Sequence, residues 1–378
     1  MIDRQAWAEV DLSAIRRNVR RLVALSGGES GLCAVVKADA YGHGAAPVAR
    51  ACLEAGATSL AVAMVDEGLA LRAAGVVAPI LVMGYTGPEG AGRAVVGGLS
   101  VAAVSVENAR MIAAQAELRG RIARLHLKVD TGMSRLGVPV SEAAAAATAI
   151  ASTPGAMLEG VFSHFADADD PGSDFSRLQL ERFNEATAAI EAAGVRGFAR
   201  HIANSSAYIR IPASRLDMGR VGIAVYGLGA TGLGPDVPAL APAMALKARV
   251  TQVRTLPIGD SVGYGRTFVA RRASRIGTLP LGYADGVTRG LSNRGWVGFP
   301  SGRAPIVGTV CMDQFMVDLT DLPDEGEGST ATLFGPGGPS AGELAELLGT
   351  IDYEIISSVS VRVPRIYLDS RLEEEAPC

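Results

Sequence analysis

The 378-residue sequence predicts an α/β protein: an N-terminal (β/α)8 barrel of the TIM type, followed by a smaller, mostly β domain. Three observations carry this expectation. Residues 31–240 repeat a short apolar run, a polar turn and an alanine-rich helical stretch, on the scale of one eightfold barrel. No G-x-G-x-x-G opens the first unit, which weighs against an open doubly wound sheet. Beyond "GLGATGLGPDVPALAP", 227–242, a linker by its Gly and Pro content, β-like runs follow one another without helices between them. Domains are therefore expected at 12–239 and 240–378, with residues 1–11 packing with the second.

In the barrel, strands are expected near 32–37, 58–63, 79–83, 99–103, 122–129, 157–163, 199–203 and 218–223. Strands that alternate with helices pair in parallel through right-handed crossovers. "VARACLEAG", "MVDEGLALRAAG", "VENARMIAAQAELRG", "EAAAAATAIAST" and "RLQLERFNEATAAIEAAG" have helical period, often with a glycine just past the last turn. "IRRNVRRL", 15–22, has the period of an amphipathic helix with a solvated basic face. In the second domain "MALKARVTQVRTL", "RIGTLPLGYAD", "APIVGTVCMDQFMVDL" and "STATLFG" read as strands, and "SAGELAELLG" and "YEIISSVS" as short helices.

Composition narrows the function. The net charge is −4 and no Lys/Arg run offers a surface for nucleic acid or anionic lipid. No apolar segment approaches a membrane span, and the first residues lack the apolar core of a secretory signal, so the cytoplasm is the expected compartment. Cys33, Cys52, Cys311 and Cys378 show no paired or metal-type spacing and read as reduced thiols. The four histidines form no HxxxH or HxH arrangement, so no metal is expected.

Chemistry enters at "GLCAVVKADAYGHG", 31–44, where an apolar strand ends on Lys37. A lysine there either reaches solvent or faces a pocket, where partial burial depresses its pKa and frees its amine for covalent chemistry. In an eightfold barrel the active site lies at the C-terminal ends of the strands, so polar residues there belong together. Tyr41 follows the first strand. "LHLKVDTGMSRLG" places Lys128 inside an apolar strand, where it must be paired, neutralised or modified, with Asp130 and Arg135 after it. His164, then Asn204 and Ser205, then Arg220, Gly222 and Ile223 end the later strands, while His126 and His201 read as structural histidines. Asn204 and Ser205 either cap the next helix or, with the amides of "GRVGI", bind phosphate. A phosphate site beside a strand-end lysine suggests pyridoxal phosphate.

"AVVKADAYGHG" resembles the cofactor-attachment signature of the alanine racemases, a pyridoxal-phosphate-dependent family of fold type III. "AEVDLSAIRRN", "KVDTGMSRLG", "SHFADAD", "RVGIAVYG", "VGYGRTF", "LGYADG", "VCMDQFMVD" and "DYEIISSVSVRVPRIY" extend the resemblance over essentially the whole chain. It implies a barrel that binds pyridoxal 5'-phosphate, a C-terminal β domain, and a homodimer with shared active sites. It also implies racemisation of L- and D-alanine by two bases, supplying D-alanine for peptidoglycan precursors. By resemblance Lys37 joins the cofactor and Tyr264, reaching in from the partner subunit, is the second base. Arg220 faces the pyridine nitrogen, His164 lies between Arg220 and the tyrosine, and Arg135 attends the substrate carboxylate. Lys128 matches a lysine often found carbamylated. Tyr41, Ser205, Gly222, Ile223 and Tyr353, with Asn204 beside them, match phosphate contacts; Met312, Asp313 and Tyr283 match the substrate end. The alternatives are a broader small amino-acid racemase acting also on serine, a fold type III decarboxylase, and a non-catalytic carrier built from the barrel alone. Tyr264 and Arg220 weigh against the decarboxylase, which needs a cysteine base and an acid at the ring nitrogen; residues 241–378 weigh against the carrier.

Overall fold

The computed structural model describes residues 4–229 and 239–369. The chain forms two compact units. One comprises Ile15–Ala40 and Ala45–Ala241; the other comprises the chain up to Ala14, Tyr41–Gly44, and the chain from Pro242 onward. Of the linker expected at 227–242, residues 230–238 lie outside the described residues, as does Cys378.

After β1 (Ala6–Asp11), which belongs to the other unit, come the barrel strands β2 (Gly31–Val35), β3 (Ser59–Val62), β4 (Ile80–Val82), β5 (Ser100–Ala103) and β6 (Ala123–Asp130). A short β7 (Val138–Pro139) attaches to β6, and β8 (Ala156–Phe162), β9 (Ala199–His201) and β10 (Met218–Val221) complete the set. The order is β10-β2-β3-β4-β5-β6-β8-β9, all parallel. The Asp217 N–H donates to the Arg200 carbonyl (3.2 Å) and the Arg220 N–H to that of Ala203 (3.0 Å), so the two ends of the sheet nearly close. The expected eightfold barrel is borne out. Its strands β2 to β5 are buried along almost their whole length, because the barrel interior covers one face and helices the other. That is why they read as continuous apolar runs rather than as alternations.

The helices read in the sequence are present at Ala45–Glu54, Val65–Ala73, Val106–Glu117, Ala143–Ala151 and Phe175–Ala192. Two further helices, Pro88–Val96 and Ser205–Arg210, carried no periodic signal. "PEGAGRAVV" contains two glycines and starts with a proline at its first turn, yet buries Ala91, Gly92, Ala94 and Val95 in close packing. The basic helix spans Leu12–Ala24, but its basic face is not wholly solvated: Arg16 is buried and its Nε donates to Glu54 Oε2 at 3.0 Å, while Arg17, Arg20 and Arg21 are exposed. No helix among the described residues is long and apolar enough to cross a membrane.

The other unit is built on a nine-stranded sheet. Its strands are β11 (Met244–Arg249), β12 (Gln252–Leu256), β15 (Ser274–Leu279), β16 (Trp296–Phe299), β17 (Gly302–Val307), β18 (Phe315–Asp318), β19 (Thr330–Phe334) and β20 (Arg365–Leu368), with β1 between β11 and β20. β1 buries Ala6, Ala8 and Val10 and leaves its intervening residues half-buried, the period of a strand with one face on a core. The hairpin β13 (Ser261–Val262) and β14 (Phe268–Val269) packs onto a small core of Val262, Ile276 and Val307, with Phe268, Leu256 and Met316 against it. The short helices Ala341–Leu348 and Asp352–Ser357 lie where the sequence placed them.

The turn after β2 has the opposite hand to every helix. Ala38, Asp39, Ala40 and Tyr41 have φ of 51, 52, 54 and 52°. A side chain in this region costs roughly 1–2 kcal/mol per residue, because Cβ crowds the following carbonyl. The turn is held by the Ala38 N–H donating to Glu67 Oε1 (2.6 Å), the Ala45 N–H donating to Asp39 Oδ1 (2.7 Å) and the Ala40 N–H donating to the Val36 carbonyl (2.9 Å). Ala38 is exposed, so Ala38→Gly is expected to leave the melting temperature unchanged or raise it, the released strain of about 1 kcal/mol matching or exceeding the added flexibility of the unfolded chain. Exposed Ala114, inside the right-handed helix Val106–Glu117, is the control: Ala114→Gly is expected to cost about 1 kcal/mol and lower the melting temperature. Equal losses in the two variants would contradict the left-handed assignment.

Candidate active site

The strand ends of the barrel gather cations around one aromatic platform. Arg220, in β10, is 3% exposed. Its Nη1 donates to His201 Nδ1 (2.8 Å) and to the His201 carbonyl (3.0 Å); its Nη2 donates to the carbonyls of Ser163 (2.7 Å) and Ile202 (3.2 Å) and to His164 Nδ1 (3.2 Å). Each of these acceptors is neutral. Burial pulls the guanidinium down to about 10, which leaves it charged at neutral pH. Phe162, the last residue of β8, lies under this group: Arg220 Cζ is 5.3 Å and Lys128 Nζ 4.7 Å from its ring centroid, and His201 stacks on it at 5.1 Å. Such cation–π contacts offset part of the desolvation of both cations.

Lys128, inside β6, is buried; burial lowers its pKa well below the ordinary lysine value, Arg220 and Arg135 lower it further, and Asp130 opposes them. Lys37, just past β2, is half-buried. Burial lowers its pKa, Arg135 adds to the effect, and Glu67 works against it. His164 is driven to the neutral form by burial first and then by Arg220, Lys128, Arg135 and Lys37. These five residues, Lys37, Lys128, Arg135, His164 and Arg220, thus act on one another electrostatically. Ser205 and Gly222 also meet: Ser205 Oγ accepts from the amides of Gly222 (3.0 Å) and Ala224 (3.4 Å). Asn204 is a helix cap, its side chain accepting from the Ala207 amide (3.0 Å), and Ile223 opens the turn Ile223–Tyr226. Together, a lysine with a lowered pKa, a guanidinium and backbone amides could hold an anionic group that carries a carbonyl.

The remaining predicted site residues belong to the other unit. The Tyr41 and Tyr353 rings lie 6.0 Å apart at 52°, and burial pushes the Tyr41 phenol up. Arg365 Nε donates to the Gly42 carbonyl (2.9 Å), which fixes the chain beyond Tyr41. Tyr264 stands on the loop joining β13 and β14, 72% exposed. Gly263 and Gly265, at φ of 70 and 71°, let the backbone double back on either side of it, and Thr309 Oγ1 donates to its carbonyl (2.9 Å). The amides of Tyr283 and Ala284 donate to the carbonyls of Cys311 and Met312, both at 3.0 Å, which ties "LGYADG" to "VCMDQ". Tyr283 and Met312 are themselves exposed. Asp313 accepts from Arg362 Nη2 at 2.6 Å, so its carboxylate is engaged in an ion pair.

Two contributors were not singled out in the sequence. Glu67 binds the amides of Ala38, Ala63 (2.7 Å) and Met64 (3.1 Å), pinning the left-handed turn beside Lys37, yet in "MVDEGLALRAAG" it reads as an ordinary first-turn acid. Phe162 ends an apolar strand and looks like core.

The chain matches two family models: "Alanine racemase, N-terminal domain" over residues 10–230 and "Alanine racemase, C-terminal domain" over residues 243–367. It is 44% identical to an alanine racemase of Desulfovibrio desulfuricans over 97% of this chain and 99% of the relative, and 47% identical to one of Symbiobacterium thermophilum over 96% and 97%. Among solved structures it is similar to the alanine racemase of D-cycloserine-producing Streptomyces lavendulae (TM-score 0.92, 39% identity, all of both chains). It is also similar to that of Bacillus anthracis with bound L-Ala-P (TM-score 0.91, 37% identity, 98% of this chain and 96% of that one).

The buried imidazoles give a pH prediction. His164 and His201 are held neutral in the fold, burial being the first cause for each, while an unfolded histidine titrates near 6.5. Below that pH the unfolded chain takes up protons that the folded one refuses, so stability present above about pH 6.5 is lost as pH falls. The melting temperature is expected to drop more steeply with pH below about 6.5 than above it. A series of thermal melts with no change of slope there would contradict the neutral histidines.

Proposed function

The chain belongs to the alanine racemase family and interconverts L-alanine and D-alanine; we propose that it does so with pyridoxal phosphate as cofactor and with Lys37 and Tyr264 as bases on opposite faces of the α-carbon. The observation that carries this reading is the strand-end lysine of lowered pKa on the same barrel face as Arg220, a buried guanidinium whose acceptors are all neutral. That donor set fits the group. Lys37 would hold its aldehyde, Arg220 would donate to its ring nitrogen, and Ser205, the amides of Gly222 and Ile223, Tyr41 and Tyr353, with Asn204 beside them, would hold its phosphate. When bound, pyridoxal phosphate supplies an electron sink that acidifies the substrate's α-proton.

The chain's own residues then decide the stereochemistry. A single base returns a proton mostly to the face it came from, so inversion needs a second base across the plane. Lys37, with its lowered pKa, can hold or release the proton on one face, and the Tyr264 phenol serves the other. Arg135 would bind the substrate carboxylate, joined by the Met312 amide and Asp313. Because arginine does not readily give up its proton, Arg220 would bind the ring nitrogen without protonating it, which restrains the electron sink. Lys128 is suited to carbamylation: its lowered pKa makes the neutral form of its amine more accessible, that form can add carbon dioxide and release one proton, and the resulting negative charge would offset part of the cluster's positive charge and hold Arg135. Tyr283 and Tyr353 would crowd the side-chain end of the site, which favours alanine; serine as an additional substrate remains the second reading.

The working enzyme is proposed to be a cytoplasmic homodimer supplying D-alanine for peptidoglycan precursors. Tyr264, Tyr283 and Met312 are large apolar groups exposed on one unit of the protomer, as expected of a surface that a second copy covers. Tyr264 of one subunit would then complete the site holding Lys37 of its partner.

Purified protein given L-alanine should form D-alanine, and Lys37→Ala and Tyr264→Phe should each lose roughly 10²–10⁴-fold in rate. Dissociating the two variants and reassociating them in equal amounts should restore about a quarter of the sites, one intact site in each mixed dimer. No recovery from a mixture in which mixed dimers are present would contradict shared sites; no alanine turnover by the unsubstituted protein would contradict the reading as a whole.

A further inference from the structure

We propose that Glu159 is a positioning residue for Arg220, acting through His126 and His201 by a one-way hydrogen-bonded chain that crosses β8, β6, β9 and β10. Glu159 Oε2 lies 3.3 Å from His126 Nε2, His126 Nδ1 lies 2.8 Å from His201 Nε2, and His201 Nδ1 lies 2.8 Å from Arg220 Nη1. His126 and Arg220 are nearly buried and His201 fully so.

The direction of the chain follows from the chemistry of its ends. Arginine can only donate, and an ionised carboxylate can only accept. Between them stand two imidazoles, each neutral ring offering one donor and one acceptor. Only one arrangement satisfies all three contacts: Arg220 donates to His201 Nδ1, His201 Nε2–H donates to His126 Nδ1, and His126 Nε2–H donates to Glu159. Reversing either ring, or protonating one, sets donor against donor inside the barrel. Glu159 thereby fixes two tautomers and gives the Arg220 guanidinium a constant acceptor on the side away from His164. Glu159 is itself anchored, by Ser100 Oγ on Oε2 and by Arg124 Nε at 3.3 Å from Oε1. The His126 contact leads in holding its carboxyl down, to about 2, and burial leads in holding His201 neutral.

Gly160 makes the approach possible. A Cβ at this position would stand 2.3 Å from His126 Nδ1, so any side chain there displaces the imidazole. The glycine following Glu159 and the histidine in β6 are therefore one device. It deepens the proposed function and rests on it, since the group Arg220 serves is the ring nitrogen of the cofactor.

The test is a ¹⁵N spectrum of histidine-labelled holoenzyme near neutral pH, where only four imidazoles report. His126 and His201 are expected to be neutral and protonated at Nε2. Glu159→Gln, whose amide can donate or accept, is expected to mix the tautomers of His126 and to lower kcat about tenfold, the lower end of the loss found when a metal-ligating histidine is deprived of its outer hydrogen-bond partner. The KM for alanine should stay within about twofold. Gly160→Ala leaves Glu159 in place and should produce the same tautomer change and the same loss. A charged or Nδ1-protonated His201 in the unsubstituted enzyme overturns the proposal without any variant. Wild-type tautomers and kcat in either folded variant overturn it too. Failure of the racemase reading is distinct, because it appears as an unsubstituted holoenzyme that does not turn over alanine.

Discussion

Like charge crowded into one barrel mouth is the constraint on which the rest depends. Lys37, Lys128, Arg135 and Arg220 gather at the strand ends: after burial, Arg135 lowers the proton affinity of Lys37, Arg220 and Arg135 lower that of Lys128, and all four lower that of His164. Two carboxylates oppose this, Asp130 toward Lys128 and Glu67 toward Lys37. At an effective dielectric near 20, unit charges a few ångströms apart repel by a few kcal/mol. A fold that keeps such a set together is strained toward taking up anions. A substrate carboxylate at Arg135 and a carbamate on Lys128 are two negative groups that would relieve it. The site is thus a place where local stability is given up for binding.

The backbone is arranged to hold that strain. Parallel strands buried on both faces give rigid ends from which long side chains project a short way, and Phe162 supplies a common floor for Lys128, Arg220 and His201. The left-handed turn after Lys37 does the same for the lysine. It is unfavourable for alanine and aspartate, and Glu67 and Asp39 hold it by binding amides that would otherwise lack helical partners. Arg220 reaches the site with Nη1 and Nη2 already committed to backbone and imidazole acceptors, so little freedom is left to lose when a ligand arrives.

How much of this is legible in the sequence depends on the range of the interaction. Local periodicity announces the eight strands to within a residue or two, most plainly β2 to β5, because a strand covered on both sides is apolar throughout. The single lysine at the end of such a run is equally plain. Helices made of small residues are not: Pro88–Val96 is stabilised by close packing that its glycines permit, and glycine sends the opposite local signal. The hand of the turn at 38–41 is invisible because none of its residues is glycine; distant amide acceptors impose it. Arg16 looks solvated until Glu54, from another helix, is beside it. His126 and His201 read as structural histidines, Glu159 is a single acid in an otherwise apolar run, and only the closure of β6, β8, β9 and β10 into a barrel joins them. The roles assigned to Tyr264, Tyr283, Met312 and Asp313 come from family resemblance, since nothing local distinguishes a catalytic tyrosine beside "GYG" from a packed one.

The central claim is that the amine of Lys37 is the point of covalent attachment. The holoenzyme reduced with borohydride, digested and analysed by peptide mass spectrometry should carry its pyridoxyl group on the peptide containing Lys37, in a stoichiometry approaching one per chain. A pyridoxyl group on Lys128 or Lys247 instead, or none on any peptide of a protein that racemises alanine, would contradict it.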